Sequence, residues 1–315
     1  MTSTARSRSD AAKKAAATKT PAARSDAAKK AAATKRAEMG GLSVHVLGSG
    51  KVGTNLARAL GATGCSVTLR AAREGFPSER IDADVIIVAV RDGDVPKIAA
   101  GLAERGLIGH RPVAIVHCAG ALGPEALAAA RVGEVSVAQM HPMISFASPG
   151  SLPDLARGQL HVDGDPAAVK AANALGKRLG MTPRTIPGLD RVAYHAAAGL
   201  VANGAAALAA GGVDLLERAG IDRVTAAKML GPLLRSVADN VERMGLPDAL
   251  TGPVRRGDAG AVERHIATIR RLAPHLVPFY AAAGTAQLPL ARALGEGPAE
   301  SFDAIERVLA ESNRA

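Results

Sequence analysis

Apolar residues in the body of the chain first come in short runs that stop at a glycine or a charged residue, the pattern of buried strands. Such runs occupy 42–47, 65–69, 85–90, 113–117 and 135–140. Between them the period lengthens from two to about 3.6. Val52, Leu56 and Leu60 fall on one helix face, and 96–104 and 124–130 each open with a proline, which a first helical turn tolerates. Strands alternating with helices predict a parallel, doubly wound α/β sheet. Past Met140 two further short strands, 159–162 and 184–186, flank a helix at 166–179. Everything later reads as helix: 189–219, 222–244, 260–272, 275–294 and 298–311. The expected organisation is an α/β domain over 41–165 and a mainly helical substrate and dimerisation domain over 166–315, the boundary falling between 150 and 190.

The first 40 residues stand apart. SDAAKKAAATK occurs twice at a spacing of 16, starting at Ser9 and again at Ser25, with no large apolar residue to bury. The expected reading is a disordered, low-complexity arm. It holds ten of the basic residues against three acidic ones, so most of the net charge of +10 belongs to it and the body is near neutral. A non-specific nucleic-acid contact is therefore expected of residues 1–40 alone. Only 2% of the chain is aromatic, which argues against a body built to stack bases. Two cysteines, Cys65 and Cys118, make neither a disulfide framework nor a metal site, so a reduced, cytoplasmic protein without metal is expected. The apolar stretch around Ala196–Leu208 carries Asn203 and glycines and reads as too short and polar to span a bilayer.

The first strand runs into Gly48-Ser49-Gly50-Lys51-Val52-Gly53, a GxGxxG turn opening a helix. That context makes it a dinucleotide signature. Gly48 permits the tight turn, Gly50 close approach of a pyrophosphate, and Gly53 helix-on-strand packing, while the helix N-terminus offers N–H groups. At the end of the second strand, where an NAD enzyme carries Asp or Glu, stand Arg70 and Arg73. A guanidinium clamps a 2′-phosphate and cannot accept from a ribose hydroxyl, so NADP is the expected cofactor. Val90 at the third strand end, His117-Cys118-Ala119-Gly120 and His141-Pro142 fall on the same side of the sheet, since ligands lie beyond the carboxyl ends of such strands.

The GSGKVG turn, HCAGAL at 117–122, HPMISF at 141–146, Tyr194-His195-Ala196-Ala197 with Asn203, and LTGPVRRGD at 250–258 with His265 and Tyr280 carry a resemblance. Over 42–294 the chain resembles bacterial Rossmann-like proteins with a C-terminal domain of unknown function. These are relatives of pyrroline-5-carboxylate reductase, ketopantoate reductase and the deazaflavin-dependent NADP reductases. The resemblance implies a helical second domain like that of 6-phosphogluconate dehydrogenase, and a homodimer. It implies no substrate. Cys118 and Ala119 depart from the Ser or Thr commoner after the first histidine of the pattern.

His195 and Asn203 share a helix face about two turns apart, His195 as an acid or base and Asn203 as an orienter of a carbonyl or amide. Thr251 and Arg255 lie in a turn leading to a helix N-cap, a receptor for a carboxylate or phosphate. Ala198 stands where a Tyr-x-x-x-Lys reductase would carry lysine, which excludes that class. The leading expectation is an NADP(H)-dependent oxidoreductase moving hydride to or from a small C=O or C=N substrate between the two domains. His195 is its proton donor, with His141 as the alternative. Two other readings stand beside it: a non-catalytic NADP-binding sensor or scaffold whose arm holds nucleic acid, and a deazaflavin-linked NADP reductase.

Overall fold

The computed structural model of the chain describes residues 41–312. The arm at 1–40, and the nucleic-acid contact expected of it, lie outside the described residues.

Seven strands form one sheet in the order β2-β1-β3-β4-β5-β6-β7: β1 Ser43–Leu47, β2 Ser66–Arg70, β3 Val85–Val88, β4 Val113–His117, β5 Val135–Met143, β6 Gln159–Gly164 and β7 Thr182–Arg184. Helices α1 (Lys51–Ala62), α2 (Val95–Glu104) and α3 (Pro166–Arg178) cover its faces. The alternation of β3 shows why. Val85 and Ile87 pack into one core with Leu56 and Leu60 of α1, and Ile86 and Val88 into the opposite core with Val95 and Leu102 of α2. A strand buried on both faces needs an unbroken apolar run. Each of these four side chains is fully buried, which contributes about 2 kcal/mol apiece.

The sheet is parallel from β2 to β5, but β5 and β6 pair antiparallel, with His141 opposite His161. The five strands expected to be parallel are so, and the antiparallel pair enters only with β6. β5 also runs on through His141 and Pro142. β4 ends opposite Gln139, so the last residues of β5 are paired on one side only, and Pro142 can sit there without leaving a neighbour unpaired. Pro124–Ala130, expected as an α-helix, is a 3-10 turn; hemmed between Gly123 and the start of β5, it takes the tighter winding of a short connector.

The chain divides between Ala196 and Ala197. That is later than the expected 165, because β6, α3 and β7 complete the sheet. The second unit is all helical: most of α4 (Arg191–Arg218), α5 (Arg223–Met244), α6 (Ala259–Leu272), α7 (Val277–Leu294) and α8 (Ala299–Ser312). Its core joins Val262, Ile266 and Ile269 of α6 to Val277 and Leu288 of α7 and Phe302, Ile305 and Leu309 of α8. In α4 and α5 the buried residues are Val213 and Ala226. The helix expected over 189–219 is α4, unbroken over 28 residues; against the expectation of a stretch too short and polar to span a bilayer, it is long and apolar enough to cross a membrane by length and composition alone. A Rossmann-type sheet followed by an all-α unit is the architecture expected.

Candidate functional site

A cavity of about 940 Å³ opens beyond the carboxyl ends of β1, β3, β4 and β5, where the strand order reverses between β1 and β3. Its floor is the glycine turn. Gly48 has φ +114°, and a Cβ there would strike the carbonyl of Ala89 in the neighbouring crossing. A Cβ on Gly53 would strike the carbonyl of Gly48, so the helix can start this close to the strand only with glycine. At Gly50 a Cβ would meet nothing, because this residue faces the cavity. Gly50 also caps α1 without a side chain, and no acidic residue stands in the first turn. The N–H groups at that helix end therefore face an anion-sized space with a partial positive charge. Ser49, Lys51 and Val52 line the same space, with Val90 at the end of β3.

The two arginines after β2 divide. Arg73 is exposed and lines the cavity. Arg70 does not: its Nε donates to Gly75 O at 2.8 Å, and its Nη2 to Glu74 O at 2.9 Å and Phe76 O at 3.3 Å. Arg70 is thus a strut for the loop carrying Arg73. Its expected role as a phosphate clamp is corrected by this geometry, since Arg70 does not line the cavity and its Nε and Nη2 are spent on the loop.

At the other end of the cavity, Cys118, Ala119 and Gly120 meet His141 and His195. The rings of His141 and His195 stand 5.7 Å apart, edge to face. A Cβ on Gly120 would collide with both His195 Nδ1 and His141 Nε2, so both imidazoles close over this glycine. His195 comes from the first turn of α4, together with Arg191 and Tyr194, at the i, i+3, i+4 spacing of one helix face. Tyr194 Oη lies 3.0 Å from His141 Nδ1. Arg191 pairs with Asp163 of β6 and donates to Gln139 Oε1 at 3.3 Å.

Burial pulls His141 down to about 4, helped by the neighbouring rings of His195, His161 and His117. His141 is uncharged at neutral pH. His117 and His161 are also lowered by burial, and the Tyr194 hydroxyl is raised by it. Burial pushes the Cys118 thiol up to about 12, so no thiolate nucleophile stands in the cavity. His117 spends both ring nitrogens on its own loop: Nε2 lies 2.9 Å from Gly123 O, and Nδ1 accepts from Ala119 N at 3.2 Å. Among the described residues no group of three metal-ligating side chains converges.

Three sequence-predicted residues belong to the second unit. Asn203 is exposed on α4, eight residues beyond His195, which at the helical rise is about 12 Å along the axis. Thr251 is exposed beside Gly252, whose φ is +93°. The turn does end at an N-cap, Asp258, which accepts from Ala261 N. Arg255, however, is fully committed: two bonds to Glu296, at 2.9 and 2.6 Å, and two to the carbonyls of Asp248 and Leu250. Its expected anion-binding role is replaced by that of a cross-brace. Sequence reasoning missed Gln139, which lies two residues before His141 and so on the same strand face. It also missed Arg191, and the contact of Tyr194 with His141, for which helical spacing from His195 was the available signal.

Residues 159–287 match DUF2520, a domain of unknown function. The match begins at β6 and runs into α7. Among solved structures, a candidate NADP oxidoreductase from Bacteroides fragilis is 20% identical, with 81% of this chain and 98% of that one covered and a TM-score of 0.60. A pyrroline-5-carboxylate reductase from Coxiella burnetii is 14% identical over 80% of this chain and 98% of its own, with a TM-score of 0.52. A pyrroline carboxylate reductase from Plasmodium falciparum, crystallised with NADP bound, is 12% identical, covering 87% and 97%, with a TM-score of 0.50. At these identities the likeness is one of fold. No curated protein matches the chain.

Proposed function

We propose that the protein is an NADP(H)-dependent oxidoreductase acting on a small C=O or C=N substrate. One observation carries this reading: the phosphate-sized glycine turn and the His141–His195 pair line the same cavity. The backbone of Gly48–Val52 holds the pyrophosphate, and Arg73, with Lys51 beside the turn, supplies the charge for a 2′-phosphate. A bound nicotinamide supplies the hydride, or accepts it in the reverse direction. The protein handles the proton. His195 gives one to the substrate oxygen or nitrogen, or takes it back. With the Tyr194 hydroxyl donating to Nδ1, the uncharged His141 ring carries its proton on Nε2, the atom beside Gly120. From there it donates a hydrogen bond to the substrate heteroatom without surrendering its proton. The likeness in fold to reductases of a cyclic C=N bond supports the substrate class.

The working protein in this reading is a cytoplasmic homodimer. Both cysteines are free thiols. Met229, Leu233, Val237, Val241 and Met244 form an apolar stripe along α5 that is 42–59% exposed, which a second copy covers more readily than water. Sedimentation equilibrium at micromolar protein tests this: a monomer removes the dimer from the reading.

The function itself is tested by titrating the purified protein with NADPH and with NADH, followed by a scan of cyclic imines, α-keto acids and a deazaflavin for NADPH oxidation. Tighter NADPH binding with turnover on one of them is the expected result. No binding of either nucleotide overturns the reading.

A further inference from the structure

We infer that Gln139 is a positioning residue that seats the 118–120 loop against the histidine pair and ties that loop to the helix bearing His195. The inference rests on the cofactor reading of the cavity, but its geometry lies in a different part of the sheet from the glycine turn. Gln139 is fully buried near the end of β5. Its amide nitrogen donates to Ala119 O at 2.8 Å and to Gly120 O at 3.1 Å. Its amide oxygen accepts from His161 Nδ1 at 3.1 Å and from Arg191 Nε at 3.3 Å. Every polar atom of the side chain is therefore in use, and its orientation is fixed, because rotating the amide would set oxygen against two carbonyls and nitrogen against two donors.

The consequence falls on Gly120. Its carbonyl is held by Gln139, while its Cα face is covered by His195 and His141. The depth of the loop sets where both imidazoles stop. Arg191, one turn before His195 on α4, is held from two sides, by Gln139 and by Asp163 of β6. One side chain thus fixes both the floor and the wall on which His195 is placed.

The test is Gln139→Glu, which keeps the size and an oxygen for His161 and Arg191 but removes both donors to the loop, with Gln139→Met as a second variant of similar volume and no polar atom. Three readouts are taken: NADPH affinity by fluorescence titration, kcat and KM on the best substrate, and hydrogen exchange of the amides of residues 118–123. The glycine turn is untouched, so NADPH affinity should stay within about threefold. A displaced loop should cut kcat by about 10²-fold, the scale of a misplacement near 1 Å. Amide exchange in the loop should rise in both variants while α1 stays protected. Unchanged exchange in the loop, or kcat within twofold of the parent, overturns the inference. If the parent protein turns over no substrate at all, the functional reading has failed, and the exchange measurement alone decides whether Gln139 seats the loop.

Discussion

His141 should remain uncharged far below the pH at which an ordinary histidine protonates, and the protein should lose stability because of it. The shift runs from 6.5 down to about 4, with burial as the main cause and three neighbouring histidines adding to it. In the unfolded chain the imidazole takes up a proton below pH 6.5, whereas in the folded chain it does so only near 4. Above pH 6.5 the two states bind the same number of protons and the full stability is present. As pH falls from 6.5 to 4, the unfolded state gains the proton first and folding weakens. At 1.36 kcal/mol per unit the loss approaches about 3 kcal/mol, somewhat less given the partial exposure of the ring. His141→Gln keeps an acceptor for Tyr194 but removes the titration. Urea unfolding followed by circular dichroism at pH 7 and pH 4 should show the parent losing about 2 to 3 kcal/mol more than the variant. His45 acts equally in both proteins and cancels in this difference, while His117 and His161, which are coupled to His141, cancel only in part. The imidazole proton resonance lost on substitution identifies His141, and in the parent it should titrate near 4. A midpoint at 6 or above, or parallel acid losses in the two proteins, would refute the argument.

Gly120→Ala places a methyl group against His195 Nδ1 and His141 Nε2, so it should lower turnover by about 10²-fold while NADPH affinity, measured by titration, changes little. Arg73→Asp should weaken NADPH by about 10- to 100-fold, the scale of a lost charged hydrogen bond, and leave NADH within about threefold. Arg70→Ala should weaken both nucleotides alike, since it releases three carbonyls of the loop instead of removing a phosphate contact; selective loss of NADPH would restore Arg70 as the clamp. Arg255→Ala should lower the midpoint of chemical denaturation, because Glu296 and two carbonyls lose their donor, with KM for the substrate unchanged.

The glycine turn was legible because it depends on neighbours close in sequence. A strand, a residue with φ +114° and a helix starting within six residues leave glycine little alternative at Gly48 and Gly53. The strands were legible for the same reason, their period and length being local properties. What escaped depended on distant partners. β5 continues past Met140 only because β6 returns antiparallel beside it, and nothing in 135–143 announces that pairing. Arg70 and Arg73 look equivalent in sequence, yet the loop at 74–76 folds back over one and leaves the other facing the cavity. Arg255 sits in a turn well suited to an anion, and Glu296, far along the chain, already occupies it. Gln139 was invisible for a related reason: its four partners come from the 118–120 loop, β6 and α4.

The two imidazoles that close over Gly120 are chemically alike but differently placed, and in the proposed reaction that difference divides the work. His141 is held in the sheet, partly buried, bonded at Nδ1 to a hydroxyl that burial also keeps protonated. Burial disfavours a charge on it, and three neighbouring imidazoles add to that, which is why it stays neutral. A ring in that state can donate a hydrogen bond to a heteroatom, but at neutral pH it has almost no imidazolium proton to give. His195 stands on the first turn of a helix and is exposed, so in the proposed reaction it is the ring in contact with solvent. Removing His195 should therefore abolish the proton step and be partly relieved by added imidazole, whereas removing His141 should leave a slower reaction that added imidazole does not restore. Rescue of the His141 variant but not of the His195 variant would reverse the assignment.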